Sequence, residues 1–76
     1  MNKDFETIIS EILKNIKTID FSMKTYQMEL ADKNTTKIKA KKLNTWIDYD
    51  FTQKIALELI LRKFYTWDEI RELENR

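Results

Sequence analysis

The chain has 76 residues, contains no Gly, Pro, Cys or His, and carries a formal net charge of +1. This length allows one domain with a small core, since such a chain buries only about 60% of the surface that its unfolded form exposes. Without Cys or His there is no disulfide framework, no thiolate or imidazole metal site and no histidine base. We therefore expect no metal, no cofactor and no enzymatic activity.

The absence of both Gly and Pro predicts a helical protein. Glycine supplies the positive φ angles of most hairpins and tight turns, and proline usually separates elements. The content of 36% charged and 42% hydrophobic residues is typical of a soluble globular protein. No apolar run approaches the roughly 18 residues of a membrane-spanning helix, and the N-terminus has no signal-peptide core. The sequence predicts a cytoplasmic protein without a membrane partner.

A heptad pattern extends over the first thirty residues. Its apolar residues alternate in steps of four and three: Phe5, Ile9, Ile12, Ile16, Ile19, Met23, Tyr26 and Leu30. This spacing indicates one long helix from about Lys3 to Ala31, with Asn2 or Asp4 as its N-cap. The segment from Thr18 to Thr25 has low helix propensity, so a break there is the alternative, although the pattern continues in phase across it.

Turn and cap residues at 32–36 predict the end of this helix, and one of the last three residues of the cluster caps the next element. A second helix is predicted over 37–48, where apolar residues keep helical spacing. A strand over 36–43 is the alternative, because Ile38 and Ala40 alternate with lysines there. A lone strand without a hairpin partner would be difficult to pair, which favours the helix.

The stretch 55–65 is the most apolar part of the chain. On a helical wheel its apolar residues surround the axis except for a narrow polar strip, which is typical of an enclosed helix. We predict that it belongs to a third helix, separated from the second by a boundary at 48–50 and opened by a capping box at Asp50 and Gln53. The rest of the chain is expected to enclose it.

A second capping box, Thr66 followed by Glu69, predicts a short last helix over about 67–75. The predicted fold is therefore a single all-α domain over residues 1–76. It is a small antiparallel helical bundle with a long N-terminal helix, two further helices and a short C-terminal helix. Because the seam of the first helix is longer than one return helix covers, we expect a homodimer.

Two groups of apolar residues are candidates for binding a protein partner. Phe21 and Met28 lie seven residues apart on the side of the first helix opposite its seam. Such a pair must be covered either by the C-terminal helices or by another molecule. Trp46, Tyr49 and Trp67 are large amphipathic residues of the kind that anchor interfaces, although in a small protein they also serve as core residues.

A lysine cluster is the candidate site for nucleic acid. It comprises Lys33, Lys37, Lys39, Lys41 and Lys42, with no acid between Asp32 and Asp48. Lysines that meet phosphates release counterions and give salt-dependent binding. The alternative is a solvated helix face whose charges pair with acids elsewhere in the chain.

No set of residues specifies a chemistry, so the interpretation of function rests on surplus apolar surface. We expect a small non-catalytic regulator or inhibitor that acts by helix-mediated contact with a larger protein. A composition rich in Lys, Ile and Asn fits an AT-rich coding sequence, which suggests a phage or mobile element. A nucleic-acid-binding accessory protein using the lysine-rich segment 33–42 is the alternative.

Overall fold

A computed structural model, which describes residues 3–76, consists of three helices: α1 (Lys3–Leu30), α2 (Lys37–Leu61) and α3 (Trp67–Glu74). The described residues include no strand, which confirms the all-α prediction and makes the strand over 36–43 wrong. They extend over 51 × 21 × 19 Å. Because one helix with its side chains is about 10–12 Å wide, the molecule is a rod about two helices thick. None of its described helices is long and apolar enough to cross a membrane.

α1 is one continuous helix, as the heptad pattern predicted, and the segment of low helix propensity does not interrupt it. Within that segment, the hydroxyls of Thr18 and Thr25 donate to carbonyls four residues back, at 3.1 and 3.0 Å. Asp4 and Glu6 lie in the first turn, where carboxylates interact favourably with the helix dipole. Asp4 is thus inside the helix and is not its N-cap. The other predicted cap, Asn2, lies outside the described residues.

Side-chain hydrogen bonds stabilise the connection between α1 and α2. A carboxylate oxygen of Asp32 accepts a hydrogen bond from the backbone amide two residues on, at 2.9 Å. The hydroxyl of Thr35 donates to the carbonyl of Glu29. Thr36 is the N-cap of α2, and its hydroxyl oxygen accepts from the amide of Lys39 at 3.1 Å. Since no described residue has a positive φ, the connection needs no glycine.

α2 is a single helix of 25 residues, so the predicted boundary at 48–50 is wrong and the described chain has three helices instead of four. Asp50 is not an N-cap but a half-buried residue inside the helix. The physical reason is the packing of Leu43 and Leu61, which are both 0% exposed. They lie about five helical turns apart on one side of α2, and an uninterrupted helix buries both on that side. Tertiary packing here outweighs a local capping preference.

The core is small and lies away from the connection between α1 and α2. It is formed by Ile9, Ile12, Ile16, Leu61 and Ile70, with Phe5, Leu13, Leu57 and Tyr65 packed against it. An edge-to-face contact between Phe5 and Phe64, with ring centroids 5.0 Å apart, closes that end. Together with Leu43, the described residues contain six buried hydrophobic side chains, a small number for a chain of this length.

Contacts between α1 and α2 follow opposite orders along the two helices. Starting at the connection, the pairs are Glu29 with Lys39, Tyr26 with Trp46, Asp20 with Lys54, and Phe5 with Phe64 beyond the end of α2. Residue numbers therefore fall along α1 as they rise along α2. The two helices contact each other over most of their length, and α3 packs against α1.

α3 begins with the predicted capping box. The hydroxyl of Thr66 accepts from the amide of Glu69 at 3.2 Å, and the Glu69 carboxylate accepts from the amide of Thr66 at 2.9 Å. These backbone and side-chain hydrogen bonds lower the pKa of Glu69. Ile70, which is 1% exposed, then attaches this short helix to the core.

Candidate protein-binding surfaces

The second half of α2 exposes its apolar side and covers its charged side. Between Tyr49 and Leu61 the charged residues are Asp50, Lys54 and Glu58. Residues spaced by four lie on one line of a helix, and these three are half-buried. Every other position in this half is uncharged. Surface helices of globular proteins normally have the opposite arrangement, with the charges toward solvent.

The uncharged side of this helix is open to solvent. Phe51 is 55% exposed, Ile55 40%, Leu59 54% and Ile60 42%, and Ala56 is also exposed. We call these five residues the α2 face. The prediction that the stretch 55–65 is enclosed by its own chain is therefore wrong. Its apolar residues surround the axis, but α1 and α3 cover only one side of α2.

The α2 face is the functional candidate that sequence reasoning missed. The stretch 55–65 is apolar on nearly all sides of the helix, and it was therefore predicted to lie in the core. The signal that would have found them is the spacing of the three charged residues at 50, 54 and 58. A line of charges must share one side of the helix, so the remaining apolar residues must face elsewhere.

Two of the three charged residues on this line of α2 have partners on α1 and α3. Lys54 forms an ion pair with Asp20 at 2.8 Å, and the hydrogen bond to Asp20 raises the pKa of Lys54. Burial raises the pKa of Glu74 to about 7, and a hydrogen bond with Glu58 and the charge of Glu58 act in the same direction. Two carboxylates can share a hydrogen bond only if one holds a proton, so the Glu74 carboxyl is protonated in acid.

Asp20, Asp50, Lys54, Glu58 and Glu74 form a polar layer between the three helices. No group of three or more His, Cys, Asp or Glu side chains among the described residues is placed to hold a metal ion. One oxygen of Asp50 and one of Glu74 are buried and lack a hydrogen-bond partner within the described chain. The layer holds α1, α2 and α3 together through polar contacts.

Phe21 and Met28 lie on the outer side of α1, as predicted, and are 74% and 70% exposed. Neither α2 nor α3 covers them. Lys14, Lys17 and Lys24 lie on the same side, because steps of three and four residues connect them to Phe21 and Met28. We call these five residues the α1 ridge.

Two open grooves adjoin the ridge, and Phe21 lines both. The first, about 670 Å³, is lined by Ser10, Leu13, Lys14, Lys17, Thr18, Phe21, Leu73 and Arg76. The second, about 590 Å³, is lined by Phe21, Lys24, Thr25, Met28, Glu29 and Asp32. The ammonium of Lys17 donates to the carbonyl of Arg76 at 2.7 Å. Phe21 thus projects between two depressions that have room for side chains of another molecule.

The three predicted aromatic anchors do not form one surface. Trp46 is 46% exposed and packs against Tyr26 with ring centroids 5.5 Å apart. Tyr49, 65% exposed, lies three residues further along the same side of α2. Trp67, 44% exposed, opens α3 beyond the far end of α2. The structure brings the first two together and separates the third from them.

Four of the five lysines in the cluster are distributed around α2, and Lys33 lies in the connection before it. All five of its members, Lys33, Lys37, Lys39, Lys41 and Lys42, are exposed. Lys39 pairs with Glu29 at 3.6 Å. Lys37 and Lys41, four residues apart, share a side of the helix, whereas Lys42 is about 100° from Lys41 around the axis. The cluster therefore does not form one continuous positive stripe.

No protein-family model matches this chain, and no curated protein or solved structure matches it.

Proposed function

We propose that the chain is a small non-catalytic protein-binding regulator or inhibitor that works as a homodimer. The observation that carries this proposal is the α2 face, an exposed apolar surface in the half of α2 whose three charged residues, Asp50, Lys54 and Glu58, are half-buried. In the proposed dimer, two antiparallel helix pairs form a bundle joined along their α2 faces. From composition we infer action in the cytoplasm and an origin in a phage or mobile element.

A second copy suits the α2 face because a two-fold axis brings a surface against itself. A surface that carries charges of one sign would meet the same sign across the axis and repel itself, whereas an uncharged apolar surface is compatible with itself. The α1 ridge, which carries three lysines, would repel a second ridge. Charge thus favours the α2 face for self-association and the ridge for a different molecule.

The area of the α2 face also supports this assignment. With about 150–250 Å² for each fully exposed large side chain, its members expose on the order of 400 Å². Patches of that size on monomeric proteins are commonly functional. Two such faces with neighbouring side chains such as Tyr49 and Thr52 approach the roughly 1,200 Å² at the low end of stable interfaces.

Sedimentation equilibrium tests the dimer. We expect a dimer for the natural chain and a monomer for the double variant Ile55→Ser, Leu59→Ser, with helical circular dichroism retained. The matched control is Met28→Ser, Ile38→Ser, which removes two apolar side chains that are 70% and 75% exposed elsewhere and should leave the dimer intact. A natural chain that sediments as a monomer, or an α2 variant that remains dimeric, would contradict the proposal.

A nucleic-acid-binding accessory protein using segment 33–42 is the second proposal, supported by the exposure of all five lysines. It predicts retention on a random DNA duplex at low salt that is lost in the variant Lys37→Glu, Lys41→Glu. The scatter of these lysines around the helix and the pairing of Lys39 with Glu29 make this the weaker of the two.

A further inference from the structure

We infer that the α1 ridge binds an acidic amphipathic helix of another protein. This inference rests on the proposed protein-binding function and names the chemistry of the partner. It uses a surface distinct from the α2 face, so that a dimer and its partner can be bound at the same time.

The charge of the ridge selects an acidic partner. Along the outer side of α1, the line from Ser10 to Met28 carries three lysines and no acid. The acids next to Met28 already form contacts within the chain. Glu29 pairs with Lys39 at 3.6 Å, and Asp32 accepts a hydrogen bond from a backbone amide at 2.9 Å. The ridge is therefore locally positive although the whole chain is nearly neutral.

The apolar residues of the ridge select a helical partner. Phe21 and Met28 are one heptad apart, about 10 Å along the helix axis. A second helix with apolar residues at heptad spacing presents side chains at the same interval. The groove on one side of Phe21 has Leu13 and Leu73 in its lining and would receive such a side chain.

A protein helix fits the ridge better than a lipid surface or a nucleic acid. Helices that lie on membranes present a wide apolar face, whereas this ridge offers two apolar residues separated by a full heptad. Duplex-binding surfaces derive most of their affinity from cations that meet phosphates. The ridge has only three lysines, and one of them, Lys17, already donates to the carbonyl of Arg76 at 2.7 Å. Lysines beside apolar residues match a helix with glutamates beside leucines.

Fluorescence anisotropy with a labelled synthetic peptide tests the inference. The peptide is helical, with leucines at heptad a and d positions and glutamates at e and g. The comparison peptide has lysines in place of the glutamates. The natural chain should bind the glutamate peptide and not the lysine peptide, with an affinity that falls as salt rises.

Variants locate the site of binding. Reversing two charges, Lys14→Glu with Lys24→Glu, should weaken binding of the glutamate peptide roughly tenfold, and Phe21→Ser with Met28→Ser should also weaken it. The matched control Lys37→Glu, Lys41→Glu makes the same change in net charge on α2 and should leave the affinity unchanged.

Three results would overturn the inference. The first is equal affinity for the two peptides or no binding of either. The second is binding lost in Ile55→Ser, Leu59→Ser but kept in the ridge variants, which would place the peptide on the α2 face. The third is displacement of the peptide by a random DNA duplex through Lys14 and Lys24, which would make the ridge a nucleic-acid site. None of these results changes the oligomeric state measured by sedimentation, so the two proposals fail separately.

Discussion

Charged side chains in the interior of a small protein are tolerated only when they are paired, because burial of an isolated charge is costly. Lys54 meets this condition through Asp20 at 2.8 Å. Glu58 meets it in a different way, through a hydrogen bond with Glu74 that needs a proton. The first pair joins opposite charges, whereas the second needs a proton and is therefore sensitive to pH.

We predict that stability falls as pH rises toward 7. The pKa of Glu74 is raised from 4.5 to about 7 in the folded chain, so the folded state binds more protons than the unfolded state between these values. The stabilising contribution is complete below about 4.5 and is lost as pH rises through about 7. Thermal unfolding followed by circular dichroism across this range should give a falling Tm.

The variant Glu74→Gln should remove this dependence, because its amide hydrogen-bonds without titrating. Glu72→Gln is the control, since Glu72 lies on the surface in a long contact of 3.9 Å with Arg76. The lowered pKa of Glu69 acts in the opposite direction, since its stabilising contribution is lost only as pH falls below 4.5. A fall in Tm that persists in Glu74→Gln would refute the assignment.

At the scale of elements, α3 depends on its first turn. A helix of eight residues is not stable in isolation, because nucleation is costly and few hydrogen bonds follow it. Its capping box and the burial of Ile70 compensate for this.

Thr66→Ala should lower the free energy of unfolding by about 1 kcal/mol, because it removes the side-chain acceptor for the amide of Glu69. The measurement is urea denaturation. Thr45→Ala is the matched control, because the Thr45 hydroxyl donates to a carbonyl inside α2 at 3.0 Å and should change stability by less than about 0.5 kcal/mol. Equal losses in both variants would show that the cap has no special role.

The elements differ in how well the sequence alone could predict them. α1 was predictable because its heptad pattern continues in phase for the whole helix. Thr66 and Glu69 were predictable because both halves of the capping box are local. Asp50 and Gln53 resemble the same signal, but the burial of Leu43 and Leu61 on one side of α2 keeps the backbone helical there. A capping box spans only four residues, so it carries no information on packing between residues that are distant in the sequence.

At the scale of the whole molecule, the number of neighbouring helices decides which apolar residues are buried. The exposure of Phe21 and Met28 could be predicted, since they oppose the seam of α1. The exposure of Leu59 and Ile60 could not, because it depends on how many sides of α2 the chain covers. A rod about two helices thick leaves such a helix partly uncovered.

We predict that thermal stability depends on concentration, because the proposed dimer binds two chains in the folded state only. A tenfold dilution removes about 1.4 kcal/mol from association and should lower Tm by about 4 °C for an assembly of this size. Melting curves at two concentrations measure this shift. Ile55→Ser with Leu59→Ser should melt at one temperature regardless of concentration, and a natural chain that does so would argue for a monomer.

The charged line of α2 has a consequence for alignment during folding. A translation of α2 along α1 by about one turn would place the Lys54 ammonium opposite Ile16 in one direction and opposite Met23 in the other. Either position sets a cation beside an apolar side chain instead of the Asp20 carboxylate. The apolar surface of α2 would allow several positions along α1. The charged line restricts α2 to one of them before a second chain binds.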